Sequence, residues 1–367
     1  MITPLRILHS EAATSFGGQE QYIYRMMLAM RERGHHLEAA CQPHAVLTQR
    51  LREQGFTVHT TCMDGPVNFV RSVAMLQGVM RRGRFDVVNS HSRRDTIIAA
   101  CAARLAGTPL IVRTRHLANK VGSLLSYTIL PHRVTTASDF VRNGLIERGV
   151  EPGHVATVYP AVSMPELPEQ STLRGELGLA RTDIVVGCVA VMRTQKGHRD
   201  LIDAMAPLIR ERPNVHLVFA GGGSPLFEEL AAYVAERRLD KRVHLLGNRS
   251  DIPNVLAGFD IFALATRKEA SGTVFVEAGA AGLPVVGTAV DGVPEMMLPG
   301  VSGLLVPLDD GPALTAALRR LIDDPGLRRK MGQAGKAYCR ADDRFTTKAQ
   351  IARIEAAYAR WLKERRP

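Results

Sequence analysis

Two glutamates eight positions apart, Glu269 and Glu277, bracket the run Glu-Ala-Ser-Gly-Thr-Val-Phe-Val-Glu. That spacing sets one carboxylate before a turn and the other one turn inside the helix that follows. Gly272 lets the turn adopt a backbone angle that other residues avoid. The amides of Thr273 and Val274 then lie at a helix N-terminus, where unpaired N–H groups and the helix dipole receive an anion. Glu277 is placed to accept bonds from hydroxyls. The plainer alternative is a helix whose acidic first turn suits its dipole. A second group is Arg193-Thr-Gln-Lys196-Gly197, after an apolar run and at a helix start. Two cations three apart at a strand end can clamp a diphosphate and do the neutralising work of a metal ion. A solvated loop is the alternative there. The chain holds no Asp-x-Asp, which argues against a carboxylate-bound magnesium ion.

Three further groups lie in the first half. Gly17-Gly18-Gln-Glu20 follows the first apolar run; glycines let the backbone approach a ligand, and a helix opens behind them. A tight turn needed for packing reads equally well. His91-Ser-Arg-Arg94-Asp and Arg113-Thr-Arg115-His116 both end strands. A histidine there can orient a hydroxyl or move a proton, although a lone histidine is more often structural. Gly221-Gly-Gly-Ser-Pro imitates a dinucleotide fingerprint, but G-x-G-x-x-G needs glycine where this chain has Leu226.

The elements that must position these residues alternate. Strands are expected at Leu5–His9, His36–Cys41, Thr57–Thr60, Asp86–Ser90, Leu110–Arg113, Arg133–Ala137 and Val155–Val158, with amphipathic helices such as Gln19–Arg33 between them. Tyr159–Gln170 holds three prolines and no period, as a linker does. The alternation restarts with strands at Ile184–Val189, Val215–Ala220, Val243–Leu246, Ile261–Ala265 and Pro284–Gly287. A last helix runs over Thr346–Arg365. The fold class is therefore α/β: two doubly wound parallel sheets, each with its ligand edge at the carboxyl ends of its strands. The expected domains are 1–162, joined by helix 346–367, and 163–345.

The chain has 367 residues, 46% hydrophobic and 23% charged, enough for two full cores. No uncharged apolar run reaches the roughly 20 residues that cross a membrane. The opening MITPLRILHS lacks the apolar core of a secretory signal, and the five cysteines are scattered without a C-x-x-C. A cytoplasmic protein is expected. The net charge of +11 is uneven: residues 1–160 carry 19 Lys and Arg against 11 Asp and Glu, whereas residues 161–340 carry 21 of each. Positive charge of this kind attracts phosphate on nucleic acid, anionic lipid or a phosphorylated substrate. With aromatics at 5% and no basic run interleaved with them, a nucleic-acid stacking platform is not indicated. Val121–Leu130, flanked by Lys120 and Arg133, reads as a core helix or as a segment that dips into a membrane interface.

Amides for a diphosphate and carboxylates for sugar and ribose hydroxyls are the parts that a sugar nucleotide needs. Together, Gly17-Gly18, Arg193…Lys196, Glu269-x7-Glu277 with Gly282-Leu-Pro284, and the last helix resemble glycosyltransferase family 4 over nearly the whole chain. These are retaining, metal-independent enzymes of the GT-B architecture, with two Rossmann-like domains facing across a cleft. The resemblance implies a nucleotide-diphosphate sugar on the second domain. Glu277 would hold the ribose and Glu269 the donor sugar. Arg193, Lys196 and the Thr273 and Val274 amides would hold the diphosphate. Gly18 would lie close to the donor, and Asn248 and Arg249 near the base. His116 would stand at the donor sugar. The acceptor, a glycan or glycolipid of the lipopolysaccharide type and phosphorylated or not, would lie on the first domain near His91, Arg94, Arg115 and Glu20. The last helix would cross back to that domain. No cofactor and no metal are implied, nor any nucleic-acid partner; contact with an anionic membrane surface is expected as a peripheral one. The chain departs from the family at Ser271, where an aromatic residue is common, and at Val191, where the arginine five positions before the lysine usually stands. Two other classes remain open: a sugar-nucleotide epimerase on the same plan, which would not need Glu269-x7-Glu277, and a basic nucleic-acid-binding protein.

Overall fold

A computed structural model describes residues 3–162, 166–341 and 343–365. The chain divides into two compact units, Met1–Ala161 with Thr346–Pro367, and Val162–Phe345.

In the first unit, seven short apolar segments form one parallel sheet. They are β1 (Arg6–Glu11), β2 (His36–Cys41), β3 (Thr57–Thr60), β4 (Val87–Ser90), β5 (Leu110–Arg115), β6 (Arg133–Thr136) and β7 (Val155–Thr157). Their order is β3-β2-β1-β4-β5-β6-β7. The order reverses between β1 and β4, which opens a crevice at the carboxyl ends of those two strands. Helices cover both faces. Gly18–Glu32 buries Ile23, Met26, Met27 and Met30 on one face; Pro66–Gly83 and Arg93–Ala106 bury Leu76, Ile98 and Ala102 on the other.

The last helix, Thr347–Glu364, belongs to this unit. Its Ile351, Ile354, Tyr358 and Trp361 share a core with Met26 and Met30. Its buried Glu355 receives Arg33 at 2.6 and 2.7 Å and meets His35 at 3.0 Å. Asn89 of β4 donates to the Tyr358 hydroxyl at 2.9 Å. A buried carboxylate left without these partners would destabilise the unit strongly, so the final helix is integral to it.

The second unit repeats the plan with β8 (Ile184–Val189), β9 (Val215–Ala220), β10 (Val243–Leu245), β11 (Ile261–Leu264), β12 (Val285–Thr288) and β13 (Gly303–Val306). The order β10-β9-β8-β11-β12-β13 is again parallel and reverses between β8 and β11. Strand β13 was not foreseen, because Gly-Leu-Leu-Val is too short a run to show a period; pairing with β12 makes it a strand. The expected helix in Val121–Leu130 contracts to Leu125–Thr128, whose Tyr127 packs with Val134 and Leu145. Part of the expected linker, residues 163–165, lies outside the described residues.

Candidate functional site

The crevice between β8 and β11 collects the groups picked out in the second half. Lys196 lies in a 3-10 turn, Thr194–Lys196, at the end of the loop after β8. Glu269 lies in the loop after β11, and the Lys196 ammonium donates to its carboxylate. Both side chains are about four-fifths buried. Backbone bonds tie the two loops together: Arg267 N donates to Gln195 O at 2.8 Å, and the Thr266 hydroxyl approaches the same carbonyl at 3.1 Å. Gly197 makes the approach possible. Its φ is +66°, and a Cβ there would stand 1.8 Å from the Ala265 carbonyl oxygen. Asp291 accepts the Glu269 amide at 2.9 Å, which fixes the second loop from its far side.

Behind Glu269, Gly272 takes φ +67° as the cap of helix Thr273–Ala280. The first amides of that helix, at Thr273 and Val274, have no intrahelical carbonyl to meet. Phe275 anchors the helix, edge-on to Phe262 at 5.5 Å between ring centroids. A second anchor is a glycine contact with helix Pro325–Ala341: a Cβ on Gly332 would lie 2.0 Å from the Gly282 carbonyl oxygen. Gly282-Leu-Pro284 thus stops one helix and seats another. Glu277 is half-buried on the helix it was expected to occupy.

The corresponding crevice of the first unit holds a row of histidines on three neighbouring strands. His9 on β1 meets His91, just after β4, with Nδ1 and Nε2 3.1 Å apart. His91 in turn meets His116, just after β5, with Nδ1 and Nε2 3.0 Å apart. The rings stack at 5.3 Å, and Tyr22 packs edge-on against His116 at 4.7 Å. Burial holds all three imidazoles neutral, His9 and His116 down to about 3 and His91 well below its ordinary value. Beneath them, burial raises the Glu11 and Asp95 carboxyls, each increased further by a neighbouring carboxylate. Asp95 accepts the His91 amide at 2.9 Å and the Ser92 amide at 2.8 Å.

Sequence comparison places this geometry. The profile of Glycosyl transferases group 1 matches residues 169–338, and that of Glycosyltransferase Family 4 matches residues 16–164. The chain belongs to the family 4 glycosyltransferases. Among its relatives, a UDP-Gal:α-D-GlcNAc-diphosphoundecaprenol α-1,3-galactosyltransferase of Escherichia coli is 25% identical over 347 residues, covering 87% of this chain and 88% of the relative. A lipopolysaccharide core biosynthesis mannosyltransferase of Rhizobium meliloti is 30% identical over 196 residues, covering 52% of this chain and 55% of the relative. The crystal structure of Anabaena HepE in complex with UDP has a TM-score of 0.86 at 21% identity, covering 97% of this chain and 100% of that one. That likeness establishes the shared GT-B fold.

Within this glycosyltransferase the structure sorts the residues expected from sequence. Lys196, Glu269, Gly272, Thr273 and Val274 come together; Arg193 is exposed at the mouth of the same loop. Asn248 packs over the third sheet-edge loop, where its side chain would stand 2.9 Å from a Cβ on Gly222. The Gly221–Gly223 run is therefore structural: Cβ atoms on Gly221 and Gly223 would strike the carbonyls of Ala190 and Met192. Three of the expected residues meet partners within their own unit. The Arg249 guanidinium pairs with Asp251 at 2.7 Å and Glu176 at 2.8 Å. Glu20 is buried and accepts the Gly17 amide at 2.6 Å as a capping-box residue. Arg94 pairs with Asp64; its neighbour Arg93 turns into the recess beside His116 instead. Gly18 is open, with nothing within 4 Å of a Cβ, so packing does not require glycine there. Sequence reasoning missed His9, and it met Arg93, Arg113 and Lys120 only inside or beside its motifs, without naming them as site residues. The signal for His9 was a polar residue closing an otherwise apolar strand.

Proposed function

We infer that this glycosyltransferase takes its sugar from a nucleotide diphosphate, keeps the anomeric configuration and uses no metal ion. The observation that carries the inference is the meeting of Lys196 and Glu269 at the β8–β11 crevice, in front of the free amides of helix Thr273–Ala280. Charge develops on the leaving diphosphate as the glycosidic bond breaks. Fixed cations and amides oppose that charge more in the transition state than before it. Lys196, Arg193 and the Thr273 and Val274 amides supply those groups. Glu269 takes hydroxyls of the donor sugar in this reading, and Glu277 those of the ribose. His116, at the crevice of the first unit, is assigned to the transferred sugar. The named ligand of Anabaena HepE is UDP, which supports a nucleotide donor here.

The acceptor in this proposal is a cell-envelope glycolipid of the lipopolysaccharide type. The names of the Escherichia coli and Rhizobium meliloti relatives support it, since one acts on a diphosphoundecaprenol-linked sugar and the other in lipopolysaccharide core synthesis. The enzyme meets it at the inner surface of the membrane. Among the described residues no helix is long and apolar enough to cross a membrane, while Leu117, Leu125 and Ile129 stand more than half exposed beside Lys120. The test is transfer from a panel of UDP-, GDP-, ADP- and dTDP-sugars, with the product anomer read by NMR. Retention is expected, with undiminished turnover in EDTA; an inverted product or a strict metal requirement would refute the proposal. Vesicle sedimentation at low salt should show binding that needs anionic lipid.

A further inference from the structure

Beside His116 the first unit holds a recess of about 230 Å3. Four cations line it, Arg93, Arg113, Arg115 and Lys120, and no Asp or Glu does. Arg113 is 5% exposed. Its guanidinium lies 3.8 Å from the centre of the Tyr127 ring and donates through Nη1 to the Ser126 carbonyl at 3.0 Å. Its Nε–H is buried with no partner. Arg115 donates to the Tyr127 hydroxyl and the Asn119 carbonyl, both neutral. Among the described residues none of the four cations has a carboxylate within ion-pair distance. The carboxyl that acts on Arg113 from nearby is Asp95, which is turned to the backbone amides of His91 and Ser92.

Burying a guanidinium without a counter-charge is costly, and an anionic ligand would offset that cost. We propose that this recess binds a phosphate group of the acceptor. The geometry suits that class. Two arginine forks present planar donors that match phosphate oxygens, and four cations exceed what one carboxylate can neutralise. The volume lies below the roughly 300–1,000 Å3 that encloses a whole small molecule, so the recess takes a charged group and leaves the rest of the acceptor outside. His116 lines the same recess, which sets the bound phosphate beside the group assigned to the transferred sugar. The inference rests on the first unit being the acceptor side, as proposed above.

The test uses the full chain saturated with UDP, so that the donor site is filled, and titrates inorganic phosphate by calorimetry. Saturable binding is expected, weakened at least tenfold in the double variant Arg93→Gln/Lys120→Gln, whose two side chains are exposed and dispensable to the core. Arg113→Lys keeps the charge and loses the fork, and should weaken phosphate several-fold; circular dichroism checks that it folds. UDP affinity should stay the same in the double variant. Absence of phosphate binding, or equal binding by the double variant, would overturn the site. A parallel loss of UDP affinity would assign the recess to the donor and overturn it too. A lipid headgroup could supply the same anion, so vesicles of phosphatidic acid in phosphatidylcholine form a second arm. Vesicle binding without soluble phosphate binding would mean general surface attraction and refute a recessed site. A chain that binds phosphate in this way but binds no nucleotide would sink the donor assignment and leave the phosphate site standing.

Discussion

Lys196 and the Thr273 and Val274 amides act on charge that exists only as the donor breaks. Replacing Lys196 by alanine should therefore lower kcat by about 10²–10³ while leaving the fold intact. A steady-state assay beside a thermal melt measures both, and near-normal turnover would remove the clamp. The histidine row makes a different residue-scale prediction. His9 Nε2 is buried without a partner, and an unpaired lone pair there is tolerated better than an unpaired N–H. His9 then donates from Nδ1 to His91, and His91 from Nδ1 to His116. That order leaves Nδ1–H of His116 as the donor available at the recess. Nitrogen-15 NMR should show the Nδ1–H tautomer at all three rings; Nε2–H at His116 would reverse the order.

At the scale of elements, the donor-side loops after β8 and β11 can touch only because Gly197 lacks a side chain. Gly197→Ala meets a left-handed backbone cost of about 1–2 kcal/mol and a Cβ position 1.8 Å from the Ala265 carbonyl oxygen. Overpacking of that kind typically adds 1–3 kcal/mol. A clearly lowered urea midpoint is expected. Gly18→Ala, with open space around its Cβ, should leave the midpoint nearly unchanged, which a paired denaturation experiment decides. Sequence periodicity located most of these elements, because a buried strand or an amphipathic helix is a local pattern. It missed β13, whose four residues become a strand through their pairing with β12.

The whole molecule should lose stability in mild acid. His9 and His116 fall to about 3, and His132 and His198 to about 4, all chiefly through burial; His91 is also depressed. Unfolded, each takes a proton near pH 6.5. Between pH 6.5 and about 4 the unfolded chain therefore binds more protons at these sites than the folded one, and stability falls as pH falls. Glu11 and Asp95 are raised and work in the opposite sense, but they are two groups against eight, since burial lowers His154, His216 and His244 as well. The urea midpoint should drop from pH 7.5 to pH 5; a midpoint that rises on acidification would refute the prediction.

Strand–helix alternation, the break near residue 160 and the placing of chemically capable residues at strand ends were all legible in the amino-acid order, since each depends on neighbours a few positions away. Tertiary structure decided which partners those residues meet. Arg249 meets Glu176 from 73 positions earlier, Arg94 meets Asp64, and Glu20 closes its own helix, as Lys196 meets Glu269. Three histidines far apart in the chain became one hydrogen-bonded row because β1, β4 and β5 are neighbours in the sheet. Which partner a charge meets depends on residues that only folding brings within hydrogen-bond distance, and no local pattern of residue types encodes that pairing.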